Sequence, residues 1–109
     1  MRIVAAGEMH LPACFDVWVA NEDFHHPDGV AEFPLHRHEL LTGTLLLAAE
    51  PHGEGDAELV VGFGAVLERS GVTYLADLFV WPDRHGRGIG GALMEALFAG
   101  RRGPRFTIA

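Results

Sequence analysis

The stretch from Tyr74 to Arg102 (YLADLFVWP, DRHGRGIGG, ALMEALFAGRR) constrains the fold more than any other part of the chain. Its first segment is apolar, rich in β-branched and aromatic residues, and stops at Trp81-Pro82, the pattern of a strand with one buried face. Its last segment carries Ile89, Ala92, Leu93, Ala96 and Leu97 at i, i+3, i+4, i+7 and i+8, the stripe of an amphipathic helix. Gly100, Gly103 and Pro104 mark the end of that helix, and Arg101 and Arg102 complement the negative end of its dipole. Between the two lies Gly86-Arg87-Gly88-Ile89-Gly90-Gly91, a loop with almost no Cβ atoms to block an approaching ligand. Unpaired N–H groups at a helix start, together with the positive dipole end, form an anion site whose usual guest is phosphate. The dipole contributes only about 0.3–1 kcal/mol per charge, so several amides have to act together.

Two phosphate-binding readings compete. Gly86, Gly88 and Gly91 satisfy the G-x-G-x-x-G dinucleotide fingerprint. That fingerprint also needs a following parallel strand and an acid about 20 positions on, for the ribose hydroxyl. The only acid after the loop is Glu95, inside the helix, and no Gly-Lys-Ser/Thr of a P-loop is present. The second reading fits far more of the stretch. Leu78 to Leu93 resembles motif A of the GNAT-type N-acetyltransferases: an apolar strand ending in V-x-P, then Q/R-x-x-G-x-G/A, then a helix that begins with small residues and Leu. Tyr74-Leu75-Ala76-Asp77-Leu78-Phe79-Val80 further resembles the Y-L-E-D-x-F-V version of diamine and other small-amine acetyltransferases. Two departures stand out. His85 occupies the Gln/Arg position, and Ala76 replaces a Glu that serves the diamine branch as a water-linked base.

At 109 residues, with 49% hydrophobic and 21% charged side chains, the chain reads as one globular domain spanning 1–109. No apolar run approaches the roughly 20 residues of a membrane span, and MRIVAAGEMH lacks the character of a signal peptide. Cys14 is the single cysteine, so an internal disulfide is excluded and a cytoplasmic location is the default. The net charge of −7 is unevenly spread: residues 1–83 hold fourteen acids against three Arg, −11, whereas residues 84–109 hold five Arg against Glu95, +4. A basic end beside the loop suits an anionic cofactor. The acidic remainder suits a cationic acceptor or, more simply, solubility, and it disfavours nucleic acid.

In chain order, Arg2–Ala6 reads as a first strand and Glu8–Glu22 as a helix presenting Leu11, Cys14, Phe15, Trp18 and Val19. Cys14 on that face is a core residue, with no basic neighbour to make it reactive. Asn21–Pro34 is turn-rich, with Phe24 and Phe33 as anchors, and His36–Leu41 forms a short helix. Three strands follow as an antiparallel meander: Thr44–Glu50, Leu59–Arg69 and Val72–Trp81, joined by PHGEGDAE and by Ser70-Gly71. Gly62 and Gly64 permit a bulge or a close backbone approach. Pro104–Ala109 reads as a last strand. The predicted class is α/β (α+β), a mixed, mainly antiparallel sheet flanked by helices in the GNAT order. Relative to that family the chain is C-terminally short: the resemblance implies a further helix and two strands, with a Tyr that protonates the leaving thiolate.

The resemblance also implies chemistry. Acetyl-CoA is the expected cofactor, its pyrophosphate held by the backbone N–H groups of residues 86–91, with Arg87 adding charge and His85 shaping the turn. A bulge at Leu78-Phe79-Val80 would splay that strand and free amides for the pantetheine and for the thioester oxygen. The Leu78 amide is the catalytic donor in this reading, a role typically worth about 2.7–4 kcal/mol. Asp77, an acid in an apolar strand, either faces the cleft or has a partner, and is the candidate amine binder or base; Glu68 is an outside candidate. No metal is expected, because neither His25-His26 with Asp28 nor His36-Arg37-His38 has zinc-site spacing. The chain thus reads as an acetyl-CoA-dependent N-acetyltransferase of a small-molecule primary amine or an amino terminus, working as a homodimer. A truncated, catalytically impaired CoA-binding or structural dimer module is the alternative, and a nucleotide-binding module would require a parallel sheet.

Overall fold

In the computed structural model the described residues are 1–21, 34–101 and 103–107. Phe24, His25, His26, Asp28, Phe33 and Arg102 therefore lie outside them. The chain forms β1 (Arg2–Ala5), a 3-10 turn at Glu8–His10, α1 (Leu11–Asn21), α2 (Pro34–Thr42), β2 (Thr44–Pro51), β3 (Glu58–Arg69), β4 (Val72–Val80), a 3-10 turn at Pro82–Arg84, α3 (Ile89–Phe98) and β5 (Arg105–Thr107). The strands lie in the order β1-β2-β3-β4-β5. The first four are antiparallel neighbours, and β5 joins β4 in parallel. The β3–β4 pairing sets aside the all-parallel nucleotide-binding alternative.

Each face of the sheet is covered by helices. On one face Leu11, Cys14 and Val17 of α1 pack with Leu45, Leu47, Phe63 and Ala65. On the other, Ile89 and Leu93 of α3 pack with Ala48, Val61 and Val80, and Leu97 and Phe98 with Val66 and Leu75. The α3 stripe is thus the predicted one with Phe98 added. The α1 stripe differs from the expected one: Leu11 and Cys14 are fully buried as expected and Val17 joins them unforeseen, whereas Phe15, Trp18 and Val19 are only partly buried. α3 approaches the sheet closely because β3 carries Gly62 and Gly64. A Cβ on Gly64 would lie 2.7 Å from Leu97 Cδ1.

Two register shifts decide which side chains reach which face. Opposite Ala48 and Ala49 the pairing jumps from Gly62 to Val60, so Val61 is an extra residue. Opposite Ala65 and Val66 it jumps from Asp77 to Leu75, so Ala76 is extra. An extra residue reverses the two-residue alternation beyond it. Leu75 accordingly points to the α3 face, while Ala76 and Phe79 pack on the α1 face. The bulge therefore lies at Ala76, two residues ahead of the Leu78-Phe79-Val80 position given by the family resemblance. Pairing opposite Ala65 places Asp77 toward α1 and α2.

Candidate active site

Every glycine-loop residue that the sequence singles out, except Arg87, meets the end of β4 in one cleft. A cavity of about 420 Å³ is lined by Leu78, Phe79, Val80, His85, Gly86, Gly88, Ile89, Gly90 and Gly91, with Asn21 and Arg84 added. Arg87 is exposed and is not among the lining residues.

The loop owes its path to two left-handed glycines. Gly86 and Gly88 both have φ near +81°, a region in which L side chains are strained, and Gly88 is the N-cap of α3. The first helical hydrogen bond closes from Ala92 N–H to Gly88 C=O at 3.0 Å. The N–H groups of Ile89, Gly90 and Gly91 precede it and have no intrahelical acceptor, and no side chain caps them. A Cβ on Gly91 would meet no atom within 4 Å, and one on Gly90 only Val80 Cγ2 at 3.9 Å. Protein packing therefore does not demand glycine at either position. What the bare backbone leaves is room at a positive helix end, which fits a diphosphate.

The strand contributes a second set of donors. Trp81 N–H donates to Val61 C=O at 2.8 Å, and its indole Nε1–H to Val60 C=O at 3.0 Å. Backbone groups alternate along a strand, so Leu78 and Val80 direct theirs to the opposite edge. Among the described residues β5 pairs only with Thr73, Tyr74 and Leu75, so β4 beyond the bulge has no neighbouring strand on that side. Val80 C=O faces that edge and accepts from Asn21 Nδ2 at 2.9 Å and from His85 Nε2 at 2.8 Å. Both of its lone pairs are thereby used, and the Leu78 and Val80 N–H groups face the same edge, where no described strand pairs with them. This contact also fixes the role of His85. It pins the loop to the strand end, with Nε2–H as the donor to Val80 C=O. Asn21 holds Val17 C=O at 2.8 Å with the same amide nitrogen. It escaped the sequence reading because it sits at the end of α1, with no spacing that ties it to the loop. Arg84 is likewise spoken for, donating to Glu50 at 2.7 and 2.9 Å and to Asp83 at 2.7 Å.

Asp77 resolves the choice posed by the sequence: it has partners, and it is not among the cleft-lining residues. Its Oδ2 lies 4.0 Å from His36 Nδ1, and its carboxyl comes within 4.8 Å of that of Glu39 on α2. His36 Nδ1 is 3.4 Å from Glu39 Oε1, and the His36 ring packs edge-on against Phe63 and Trp18 at 5.0 and 5.6 Å. Burial pushes the Glu39 carboxyl above its ordinary range and His36 below its own. Cys14, behind them on α1, is pushed up to about 12 by burial and then by the two carboxyl charges. It is a core thiol, as expected. Sequence reasoning missed Glu39 because PLHRHELLT reads as a polar surface helix. The available signal was His36, Glu39 and Leu40 at i, i+3 and i+4, one helical face. Glu68 is held by Arg101 near the far end of β3 and takes no part in the cleft.

An uncapped helix start beside an open strand edge, on a mixed sheet covered on both faces, is the arrangement in which the acetyltransferase class of fold places its cleft. The acetyltransferase (GNAT) domain model matches residues 14–107, and the chain belongs to that family. Solved structures agree in fold. The ribosomal-protein-S18-alanine N-acetyltransferase of Escherichia coli aligns at 18% identity with a TM-score of 0.68, over 90% of this chain and 57% of its own. The aminoglycoside 6'-N-acetyltransferase of Acinetobacter haemolyticus aligns at 18% identity and 0.72, over 100% and 79%. A GNAT family acetyltransferase of Streptococcus pneumoniae aligns at 19% and 0.66, over 99% and 73%. The chain thus spans little more than half the length of the first. No curated protein matches it in sequence. No helix among the described residues is long and apolar enough to cross a membrane.

Proposed function

We propose that this chain is an acetyl-CoA-dependent N-acetyltransferase acting on a primary amine of a small molecule or an amino terminus. The observation that carries this reading is the convergence of two donor sets on one cleft: the N–H groups of residues 89–91 and those of Leu78 and Val80. Acetyl-CoA, when bound, supplies a thioester carbon open to attack by an amine. The helix start would grip the diphosphate, with Gly86 and Gly88 holding the turn and His85 fixing it to Val80. The free edge at Leu78, Phe79 and Val80 would align the pantetheine as an added strand. The Leu78 N–H would hydrogen-bond the thioester oxygen as charge develops on it, a contribution of about 2.7–4 kcal/mol for a well-aimed donor. Asp77, on the α1/α2 face next to that amide, would take the proton of the acceptor.

The working unit in this reading is a cytoplasmic homodimer, tested by light scattering with and without acetyl-CoA. A CoA-binding module without turnover is favoured by one observation, that Asp77 is engaged by α2 and does not line the cleft. Release of free thiol from acetyl-CoA in the presence of an amine panel separates the two. Turnover supports the enzyme; tight binding of coenzyme A with no amine-dependent thiol release supports the module.

A further inference from the structure

The His36–Glu39–Asp77 cluster is the least expected feature of the core. An imidazole and two carboxyls, each 9% exposed or less, are gathered where α2 lies against β4, and one donor atom from each falls within 4.8 Å of the others. The His36 ring meets Phe63 and Trp18 edge-on at 5.0 and 5.6 Å, so the surroundings are aromatic. Carboxyl groups in such a place are costly unless they are paired, hydrogen-bonded or bound to a metal. What the protein supplies is thin. His36 Nδ1 stands 3.4 Å from Glu39 Oε1 and 4.0 Å from Asp77 Oδ2, both beyond the about 2.7–3.2 Å of an N–H···O hydrogen bond. Glu39 Oε2 belongs to a fully buried side chain and has no hydrogen-bond partner among the described residues. Arg37, the cation next to His36 on α2, is paired with Glu8.

We propose that His36, Glu39 and Asp77 form a binding site for one divalent first-row transition ion, represented by Zn²⁺, which fastens α2 to β4. The spacing suits such an ion. Zinc sits about 2.0–2.2 Å from imidazole nitrogen and carboxylate oxygen, which sets the donors of a tetrahedral shell about 3.4 Å apart. His36 and Glu39 already stand at that separation, and Asp77 Oδ2 reaches it by a small side-chain rotation. A divalent charge cancels those of two carboxylates, and Glu39 Oε2, the orphaned oxygen, turns the Glu39 grip bidentate. A donor set of one imidazole and two carboxyls selects zinc or its first-row neighbours over the all-oxygen shells of Mg²⁺ and Ca²⁺ and the sulfur sets of soft ions. Cys14 packs in the same core, but its sulfur is not among the gathered donors. Sequence spacing speaks against a metal only for histidines close along the chain, whereas here the third ligand comes from another element. Of the leucines of α2, Leu35 and Leu41 are exposed and Leu40 is half-buried, so the attachment of this helix falls largely on His36 and Glu39. Asp77 Oδ2 cannot hold an ion and take a proton from an acceptor at once, so the loaded and the stripped chain are alternative states. The site itself does not depend on the acetyltransferase reading.

Zn²⁺ is the probe, added to the full chain after chelation has stripped it of metal. Calorimetric titration is expected to give one ion per chain, and Tm to rise by about 10 °C once free Zn²⁺ is about 100-fold above Kd. Glu39→Gln, which keeps the shape of the side chain and removes its charge, loses that rise. His38→Gln, at an exposed position of the same helix, keeps it. Should Glu39→Gln fail to fold, the wild-type chain still decides the matter: in a crystal soaked with Zn²⁺, anomalous scattering at the zinc edge is expected to show a peak between His36, Glu39 and Asp77. No rise in Tm overturns the proposal, as does an equal rise in Glu39→Gln or zinc found only on exposed histidines such as His38. These readouts use neither acetyl-CoA nor an amine. A chain that binds zinc here but transfers no acetyl group retires the enzyme reading alone, and one that transfers without binding zinc retires the metal site alone.

Discussion

Gly90→Val isolates the proposed cofactor cradle from the fold. Gly90 has helical backbone, and an added Cβ would meet only Val80 Cγ2, at an ordinary 3.9 Å. In a helix Val is better than Gly by about 0.3 kcal/mol, so the substitution should leave Tm within about 3 °C of wild type. The same side chain would stand where the N–H groups of residues 89–91 open onto the cleft. Hydrogen bonds to a charged group contribute about 1.5–3 kcal/mol each. Losing two of them to a diphosphate corresponds to about 3–6 kcal/mol, a 10²- to 10⁴-fold weaker Kd. Calorimetric titration with coenzyme A, beside thermal unfolding of the apo chain, reads both quantities. A folded Gly90→Val with wild-type affinity would refute the assignment. Gly88→Val is a poorer probe, although the letters of the motif make the two positions look alike. Gly88 has φ near +81°, where a side chain costs about 1–2 kcal/mol, so that variant should lose stability with no ligand present.

Three further outcomes follow from the core and the loop. Denaturant stability should form a dome in pH: it falls as pH drops through 6.5, where unfolded His36 charges and the buried ring does not, and again as pH rises from 9.0 toward 12, where unfolded Cys14 ionises and the buried thiol, raised to about 12, does not. Stability that climbs above pH 9.0 would contradict this, as would labelling of Cys14 by a thiol reagent without denaturant. Gly43→Ala should cost about 2 kcal/mol or more in chemical unfolding, because its Cβ would stand 2.3 Å from the Val66 carbonyl oxygen and backbone has to move. His85→Ala should remove about 1 kcal/mol of stability with the lost bond to Val80 C=O, and weaken coenzyme A binding more than it weakens the fold; equal effects on both would make His85 a purely structural clamp.

The segment from β4 to α3 was legible in sequence because period and punctuation coincide there. Trp81-Pro82 ends a strand, Gly86 and Gly88 demand left-handed turns, and the Ile89–Leu97 stripe buries one helical face. The meander was legible for the same reason, with boundaries displaced by a residue at most. The cluster at His36, Glu39 and Asp77 was not. Its members lie up to 41 positions apart along the chain and meet only because pairing with Ala65 turns Asp77 toward α2. A bulge of one ordinary alanine has no signature in composition, and a polar helix with an inward-facing His and Glu looks like a surface helix until its partner strand is known. The cleft shows the same division: Gly90 and Gly91 announce it, whereas Asn21 enters only through the packing of α1 against Val80.

The extra residue at Ala76 is absorbed by the strand pairing and leaves its neighbours in phase with β3. Leu75 stays opposite Val66 and Asp77 opposite Ala65, and those two β3 neighbours face opposite sides of the sheet. Deleting the alanine would therefore straighten β4 and relax its local twist while Asp77 kept its side. A residue inserted into β4 with no bulge to take it up would do the opposite, carrying one end of the strand to the wrong face. A lineage can thus shed the kink at no cost in orientation, but cannot lengthen the strand by one codon without finding a second place to fold it away.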